Sequence, residues 1–313
     1  EPPPPVAPYS QEAILIDALP EMSGRRILCT SPGLAQFAVA AAHALPDTTV
    51  SCTYLDLYRA TLAVEAIKEP SPTGRGQGEG ALFVRNNLFI HCAADFPTDK
   101  ADLVALPLSA SGEAELTRDL LQSAHHRLRL DGKLFATTDN RHDTWLEGQL
   151  RKLFRKLERR PAATGVLYVA TKTEPLKKLK GFACEFAFRD RGRLIRAYSR
   201  PGGFSHRHID PGARHLIDTM EIASGMRVLD IGCGAGTVAL AAACRAEGVR
   251  VHTVDSNVRA IECTERGAAL NDLPNITTEL NAAGNYAAAG AYDLALANPP
   301  YYAAHRIAHH FLT

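Results

Sequence analysis

The stretch Val228-Leu-Asp-Ile-Gly-Cys-Gly-Ala-Gly236 decides the fold. Its apolar start, preceded by Arg227, is typical of a buried strand, and the glycines end that strand before an alanine-rich helical stretch begins at Thr237. Because glycine has no β-carbon, such a turn lets the backbone approach a bound molecule closely at the start of the next helix. The stretch therefore predicts a strand, a ligand-binding turn and a helix, the opening unit of a doubly wound α/β domain.

The same order of elements occurs in the first half of the chain. A strand pattern over 26–29 is followed by a break at Ser31-Pro-Gly and by an alanine-rich stretch of helical length, 34–45. The next strand pattern in each half ends at an aspartate, Asp56 in the first and Asp255 in the second. Alternating strands and helices predict parallel sheets with helices on both faces. The repetition therefore predicts an α/β chain of two tandem doubly wound Rossmann-like domains from an internal duplication.

The predicted domains are residues 1–173 and 174–313. A β-hairpin pattern on either side of Asp190-Arg-Gly opens the second domain. After its fourth strand, the first half continues through further strand and helix patterns, whereas few residues follow the fourth strand of the second half. We therefore expect the second domain to be incomplete at its carboxyl terminus in this chain.

The two halves differ at the positions where a ligand would bind. Three of four positions in the turn differ: Asp230, Gly232, Gly234 and Gly236 stand where the first half has Cys29, Ser31, Gly33 and Ala35. The first half also has Pro107-Leu-Ser-Ala where the second has Asn298-Pro-Pro-Tyr. We predict that the first domain is a degenerate, non-catalytic copy.

The glycine spacing discriminates between nucleotide-like cofactors. The dinucleotide pattern Gly-x-Gly-x-x-Gly would continue from Gly232 and Gly234 with a third small residue, where this chain has Thr237. The third glycine of this turn is Gly236 instead. This spacing favours S-adenosylmethionine over a nicotinamide cofactor.

Two acidic residues flank the turn. Asp255, at the end of a strand, can accept hydrogen bonds from both ribose hydroxyls because a carboxylate offers only acceptors, and Ser256 beside it is assigned to the same site. Asp230 can balance the cofactor's ammonium group, directly or through the amides of the turn. Bracing the turn is the alternative role for Asp230.

The segment Asn298-Pro299-Pro300-Tyr301 is the predicted catalytic segment. Its two prolines make the backbone rigid at the carboxyl end of a parallel strand, where such sheets bind ligands. The Asn298 side-chain oxygen and the Pro299 carbonyl can accept both protons of a conjugated amine and so favour a pyramidal, attacking nitrogen. Tyr301 offers a flat face on which a flipped base can stack.

Positive charge is concentrated in the middle of the chain. Residues 151–200 hold 15 Lys and Arg against 4 Asp and Glu, although the formal net charge of the whole chain is only +1. Apolar residues at helical spacing predict an amphipathic basic helix over 145–160. Its basic face is predicted to follow RNA phosphates, and it consists of Arg151, Lys152, Arg155, Lys156 and Arg159. The alternative is an ordinary solvated face.

Composition excludes several other classes of protein. The 7 cysteines are scattered without a Cys-x-x-Cys pair, which favours a reducing cytoplasm. No apolar run approaches the roughly 18 residues that a membrane span needs, so no membrane partner is expected. His305, His309 and His310 have no carboxylate or cysteine spaced with them, so no metal is predicted.

Taken together, residues 228–236, Asp255 and 298–301 resemble the class I methyltransferases that act on amino groups, and the resemblance covers residues 182–313. A duplicated chain with a degenerate first copy further resembles the small-subunit rRNA guanine-N2 methyltransferase C family. Arg200-Pro-Gly-Gly-Phe-Ser and Ile209-Asp-Pro-Gly are similar to that family's Pro-Gly-Val-Phe-Ser and Leu-Asp-x-Gly patterns.

The resemblance implies a target, a partner and further site residues. The expected reaction is methylation of the exocyclic N2 of a guanine in ribosomal RNA or the small ribosomal subunit. Phe204 and Ser205 would line the cofactor site, and either Asn281 or Asn285 would contact the adenine. The chain departs from the family at Gly203, where valine is usual, and at Tyr301-Tyr302, where Phe-His is common.

Three other functions stay open at this point. The same motif occurs in adenine-N6 methyltransferases and in glutamine-N5 methyltransferases that act on proteins. The glutamine enzymes normally carry a helical amino-terminal domain, unlike the α/β first half of this chain. A non-catalytic rRNA-binding assembly factor is the third alternative, which the intact Asp230, glycine turn and Asn298 disfavour.

Overall fold

A computed structural model describes residues 7–67, 82–285 and 290–299 of the chain. It consists of two compact units. The first comprises Glu1–Tyr54 and Arg59–Lys180, and the second comprises Leu55–Tyr58 and Gly181–Thr313. The division after Lys180 lies slightly beyond the boundary predicted at residue 173.

The first unit contains a mixed sheet of eight strands. The strands are β1 (Arg26–Cys29), β2 (Thr49–Tyr54), β3 (Phe83–Arg85), β4 (Leu88–Cys92), β5 (Ala101–Leu108), β6 (Leu128–Thr138), β7 (Lys156–Pro161) and β8 (Val166–Thr171). The helices are α1 (Ser10–Asp17), α2 (Gln36–Ala44), α3 (Leu57–Ile67), α4 (Ala114–Arg127) and α5 (Trp145–Arg151), with a short 3₁₀ turn at Leu19–Glu21. The strand order is β3-β4-β2-β1-β5-β6-β8-β7.

The middle of this sheet is parallel and buried on both faces. The pairs β4-β2, β2-β1, β1-β5 and β5-β6 are parallel, and the outer pairs are antiparallel. Neighbouring side chains of β1 alternate between two cores: Ile27 and Cys29 lie in one buried cluster and Leu28 lies in the other. A sheet covered on both faces explains why these strands are almost continuously apolar in sequence.

The second unit opens with a hairpin and continues as a parallel sheet. Its strands are β9 (Cys184–Asp190), β10 (Arg193–Ser199), β11 (Arg227–Ile231), β12 (Arg250–Asp255), β13 (Ile276–Leu280) and β14 (Leu294–Ala297). Its helices are α6 (Pro211–Thr219), α7 (Thr237–Cys244) and α8 (Val258–Leu270). The hairpin β9-β10 is antiparallel, and the other four described strands are parallel in the order β13-β12-β11-β14.

This order repeats that of the central strands of the first unit, β4-β2-β1-β5. In each unit the strand before the predicted turn, β1 or β11, lies between two parallel neighbours. The predicted α/β class with Rossmann-like sheets is confirmed. A common origin of the two units by duplication stays a prediction. Among the helices that the structure describes, none is long and apolar enough to cross a membrane.

The predicted basic helix over 145–160 is wrong beyond Arg151. There α5 ends, and the chain returns as β7, antiparallel to β8. Most of the apolar side chains that produced the helical pattern lie in or against one buried cluster: Leu146, Leu150, Leu153, Phe154 and Leu157. Trp145 is the exception, with 41% of the residue exposed. Burial in one core produced the spacing without a continuous helix, so the five basic residues do not share a helix face.

Candidate cofactor and active site

The glycine turn lies at the carboxyl end of β11, between two parallel strands. The N–H of Gly232 donates to the Val254 carbonyl at 2.8 Å, and the N–H of Cys233 donates to the same oxygen at 3.2 Å. Gly232 has a φ of +73°, which glycine adopts with little strain. The turn is therefore fixed to the end of β12, next to Asp255.

Different structural constraints explain why glycine stands at the other two positions of the turn. Gly234 has a φ of +56°, and its N–H donates to Oδ2 of Asp255 at 2.9 Å. A β-carbon on Gly236 would lie 2.7 Å from the Thr264 hydroxyl of α8. Close packing of α8 and a φ of +73° therefore both favour glycine at position 236, and the predicted close approach of a ligand stays a prediction.

Asp255 is held by backbone groups on both of its oxygens. Its Oδ1 accepts the N–H of Asn257 at 2.8 Å, and its Oδ2 accepts the N–H of Gly234. Burial raises the pKa of Asp255, and these backbone hydrogen bonds oppose that shift. Each carboxylate oxygen retains a second acceptor position, so the fixed group can still accept hydrogen bonds from a ligand's hydroxyls.

Asp230 is a buried carboxylate with an unmatched oxygen. Only 2% of the residue is exposed, and its Oδ2 has no hydrogen-bond partner among the described residues. Burial, followed by the nearby charge of Asp255, raises the pKa of Asp230 to about 7. Because an unsatisfied buried acceptor is costly, the site fits a ligand that brings a donor, and an ammonium group also brings the matching charge.

A small cavity next to Asp230 is lined both by predicted cofactor-binding residues and by a predicted catalytic residue. Its lining includes the predicted cofactor residues Phe204, Ser205, Asp230 and Gly232, and the predicted catalytic residue Asn298. Cys233, Thr237 and Asp210, which had no predicted role, also line it. The cavity therefore joins the turn after β11 to the segment after β14, as expected for the carboxyl edge of a parallel sheet.

The loop that carries Phe204 is anchored from the start of α8. The Asn257 side-chain amide donates to the Gly202 carbonyl at 2.7 Å, and the Arg259 guanidinium donates to the Pro201 carbonyl at 2.6 Å. Arg259 is only 1% exposed. Sequence reasoning missed both anchors, because neither residue belongs to a pattern near the loop. They hold Phe204 in place while leaving it 41% exposed beside the cavity.

Asn298 is bound through its amide nitrogen. Its Nδ2 donates to Oδ2 of Asp210 at 2.9 Å. Asp210 is the N-cap of α6, and the same oxygen accepts the N–H groups of Gly212 and Ala213. The sequence offered a signal for this cap, since aspartate followed by proline is typical of a helix start. Pro299 is described beside Asn298, whereas Pro300 and Tyr301 lie outside the described residues.

The remaining predicted cofactor residues are engaged with the protein. The Ser256 hydroxyl donates to Oδ2 of Asp56, which belongs to the same unit, at 2.6 Å. The Ser205 hydroxyl donates to the His208 carbonyl at 2.8 Å. Ser205 and Ser256 would have to break or share these bonds to contact a cofactor through their side chains.

The two asparagines between which the sequence did not decide contact each other. Nδ2 of Asn281 donates to Oδ1 of Asn285 at 3.1 Å, and the Asn281 N–H donates to the Asp255 carbonyl at 3.0 Å. Asn281 is thus tied directly to the residue proposed to hold the ribose. Its amide nitrogen also donates to Glu279, at 2.6 Å. This placement favours Asn281 for an adenine contact.

The predicted RNA-contacting residues lie in the first unit and are partly ion-paired. Glu147 pairs with Arg151 at 2.7 Å and with Arg159 at 3.6 Å, and Arg155 pairs with Glu174 at 2.7 Å. Lys156 and Arg159 differ by an odd number of positions along β7, so their side chains point to opposite faces of the sheet. Within the described residues, no group of three or more His, Cys, Asp or Glu is arranged to hold a metal ion, and the histidines at 305, 309 and 310 lie outside them.

Comparisons with known proteins point to one class of domain. Residues 195–313 match the family model of the methyltransferase small domain. A ribosomal RNA small subunit methyltransferase C of Klebsiella pneumoniae is 33% identical over 108 residues, covering 33% of this chain and 29% of that protein. A protein of the same name from Marinomonas is 27% identical over 208 residues, covering 60% of this chain and 56% of its own. The uncharacterized protein YbxB of Bacillus subtilis is 31% identical over 128 residues, or 40% of this chain and 63% of that one.

The chain thus spans less than two thirds of the length of these relatives. Among solved structures, a T. thermophilus 16S rRNA N2 methyltransferase in complex with AdoMet and guanosine has a TM-score of 0.70 and 19% identity. The match covers 93% of this chain and 75% of that one. At this identity the likeness concerns the fold, and it extends over both units.

Proposed function

We propose that this chain, whose second unit is an S-adenosylmethionine-dependent methyltransferase domain similar to that of the ribosomal RNA small subunit methyltransferase C proteins, methylates the exocyclic N2 of a guanine in ribosomal RNA. The observation that carries this proposal is the placement of Asn298. Its amide is bound by Asp210 and lines the same cavity as the unmatched oxygen of Asp230. One small site therefore combines an acceptor for the cofactor's cation with an acceptor for an amine nucleophile.

The cofactor would be held by groups that the chain already fixes. S-adenosylmethionine, when bound, supplies an electrophilic methyl group. The Asp230 carboxylate would accept a hydrogen bond from its ammonium group, and Asp255 would accept from the ribose hydroxyls. Phe204 would cover the site from the loop that Asn257 and Arg259 anchor.

The target amine would be activated by acceptors alone. The exocyclic nitrogen of guanine is conjugated with its ring, so its lone pair is a poor nucleophile. Oδ1 of Asn298 and the Pro299 carbonyl would accept its two protons, which favours the pyramidal geometry that the transition state needs. Holding this nitrogen beside the methyl group supplies the rest of the acceleration. The amine would react neutral, and the extra proton of the methylated nitrogen would pass to water.

Guanine is favoured over the other targets by a likeness in sequence and a likeness in fold. The curated relatives include proteins named ribosomal RNA small subunit methyltransferase C, and the solved neighbour holds guanosine. The α/β first unit differs from the helical domain expected of a glutamine-N5 enzyme. Adenine-N6 methylation would use the same acceptors. The site therefore fits both reactions, and only the identity of the methylated product distinguishes guanine from adenine.

The first unit is proposed to be a degenerate copy that docks RNA. It repeats the strand order of the second unit but has Pro107 where the second has Asn298. Its exposed basic residues, on α5, on β7 and in the loop between them, would contact phosphates without reading sequence. The first unit would then supply RNA affinity, and the second would carry out methyl transfer.

Nucleoside mass spectrometry tests the reaction and the target together. The chain is incubated with unmodified ribosomal RNA, with small ribosomal subunits, or with total protein, each with methyl-labelled S-adenosylmethionine. Label in N2-methylguanosine from the RNA or subunit reaction is expected. Label in N6-methyladenosine or in protein glutamine would replace the proposed target, and RNA binding without label in any reaction would favour an assembly factor.

A further inference from the structure

The bond between Asn298 and Asp210 joins residues 88 positions apart and lies in the cavity of the proposed reaction. An asparagine side chain has two nearly equal ends, an oxygen that accepts and an NH₂ group that donates. Only the oxygen end helps an amine nucleophile, because the NH₂ end would place donors against donors. The reaction therefore needs something that fixes which end points to the substrate.

Asp210 supplies that selection because an ionised carboxylate only accepts hydrogen bonds. The NH₂ end of Asn298 lies 2.9 Å from it, whereas a flipped amide would set an oxygen against an anionic oxygen. Holding the NH₂ end leaves Oδ1 on the other side of the amide. A negative acceptor also polarises the amide and makes Oδ1 a stronger acceptor.

Asp210 is itself fixed at the start of α6. Its Oδ2 accepts the N–H of Gly212 at 2.8 Å and that of Ala213 at 3.1 Å, and its carbonyl accepts the N–H of Arg214 at 2.8 Å. At the other end of α6, the buried guanidinium of Arg245 donates to the carbonyls of Ile217 and Met220. The carboxylate is therefore preorganised by a helix anchored at both ends, as precise placement of a supporting group requires.

We propose that Asp210 is a positioning residue for methyl transfer: its carboxylate holds the Asn298 NH₂ group so that Oδ1 faces the amine being methylated. This inference rests on the proposed function. It assigns to Asp210 a role in turnover rather than in holding the cofactor or the RNA.

The test compares three substitutions in the full chain. Asp210→Ser keeps a favoured N-cap but is too short to reach Asn298. Asp210→Asn keeps an oxygen that can accept all three N–H bonds but removes the charge. Asp218→Ser is the matched control, because it removes an exposed carboxylate of the same helix that pairs with Arg214. Turnover, KM for RNA and cofactor affinity are measured for each.

The expected pattern separates positioning from folding. Asp210→Ser lowers kcat by roughly 10- to 100-fold, part of the loss expected for removing a stabilising hydrogen-bond group, with KM and cofactor affinity nearly unchanged. Asp210→Asn recovers part of that loss but stays at least about threefold below wild type, because a neutral acceptor polarises the amide less. Asp218→Ser turns over normally. Combined with Asn298→Ala, Asp210→Ser adds no further loss, since the two residues act through one amide.

Other patterns overturn the inference. Normal turnover in Asp210→Ser would exclude positioning, as would losses that multiply when Asp210→Ser and Asn298→Ala are combined. If Asp210→Ser loses cofactor binding and so has misfolded, Asp210→Asn decides, and wild-type turnover there rejects the role. Failure of the proposed function looks different, because the wild-type chain then transfers no methyl group to guanine. A fully active Asn298→Ala variant would overturn the positioning role of Asp210 and leave the proposed reaction standing.

Discussion

The turn between β1 and α2 and the turn between β11 and α7 differ in the acceptors that their backbone N–H groups bind. In the first, the Ser31 hydroxyl accepts the N–H groups of Gly33 and Ala35 at 3.0 and 3.1 Å, and the Gln36 side chain accepts that of Leu34 at 2.9 Å. In the second, the N–H of Gly234 binds Asp255, a group that can also serve a ligand. The N–H groups of the first turn are bound by side chains of the turn itself, whereas the second turn is bound to Asp255, the carboxylate proposed to hold the cofactor.

Helix α1 closes the space above the first turn. A β-carbon on Gly33 would lie 3.0 Å from the Tyr9 ring and 3.1 Å from the Glu12 carboxylate. Glu12 is fully buried, and burial raises its pKa. The backbone of this turn nevertheless resembles that of the second turn, since Ala35 has a φ of +60° where Gly236 has +73°. The first turn can thus share the backbone conformation of the second while the space beside it is filled by its own chain.

The largest effect is expected from a substitution at the carboxyl end of the fourth strand, where the two units carry different residues. Asn298→Ala should lower kcat by about 10² to 10³ while leaving cofactor affinity nearly intact, because its oxygen acts on the reacting amine. The control is Ser109→Ala, at the carboxyl end of β5 in the first unit, which should turn over normally. Single-turnover kinetics with saturating cofactor measure the step directly. A normal rate in Asn298→Ala would reduce the segment to a structural turn.

The next effect concerns the number of cofactor sites. Asp255→Ala should weaken S-adenosylmethionine binding by roughly 10- to 100-fold, since hydrogen bonds to a charged acceptor contribute about 1.5–3 kcal/mol. Ser31→Ala, in the self-satisfied first turn, should leave binding unchanged. Calorimetry on the full chain should give one site. A second site, or a preference for a nicotinamide dinucleotide, would contradict the difference between the turns.

Sequence reasoning was most successful where local chemistry decides structure. The glycine turn, the strand that ends at Asp255 and the hairpin from Cys184 to Ser199 could all be read from neighbouring residues. It failed for the basic helix, because Leu153, Phe154 and Leu157 reach the core at helical spacing from a loop and a strand. Pairing of β7 with β8 is a longer-range interaction that periodicity does not contain.

The least predictable features of the site are also long-range. The Asp210–Asn298 bond and the anchoring of the Phe204 loop by Arg259 connect segments far apart in the chain. The closure of the first turn by Glu12 depends on a helix that carries no motif. Motifs located the groups that we propose contact a ligand, whereas the contacts that orient those groups could be found only from the fold.

A smaller effect follows from the charge of Asp230, for which the first unit has the neutral Cys29. With its pKa raised to about 7, Asp230 is protonated in acid and gains its negative charge as the pH rises through neutrality. If the charged form binds the ammonium group, cofactor affinity should be about tenfold weaker at about pH 6 than at about pH 8. Asp230→Asn should bind weakly at both, without this slope. Calorimetry at the two values distinguishes them, and a flat wild-type profile would favour the turn-bracing role.

The raised pKa of Asp230 also determines whether stability rises or falls with pH. Between the ordinary aspartate pKa of 3.8 and about 7, the folded chain holds a proton on Asp230 that the unfolded chain releases. The contribution of Asp230 to stability therefore falls as the pH rises across this window. Asp230→Asn should flatten that part of the profile in denaturant melts. An unchanged slope would show that the carboxyl is ionised in the fold.

The smallest effect tests whether the first unit supplies RNA affinity. Lys152, Arg155 and Lys156 lie between the end of α5 and the start of β7, and of these Arg155 is paired with Glu174 at the surface. Reversing all three to glutamate should weaken RNA binding only a few-fold at physiological salt, because exposed charges are screened. The log–log salt dependence should flatten by about 0.7 to 0.9 per lost phosphate contact. Cofactor affinity should not change, since these residues belong to the first unit and the cofactor site to the second.

A reversal at Lys100, Arg127 and Arg129 is the matched control for general charge, because it changes the net charge equally outside the basic segment. Equal weakening by both triples would mean that RNA responds to net charge alone. An unaltered affinity and slope in the test triple would move the search to Lys177, Lys178 and Lys180, which follow β8 in the same unit.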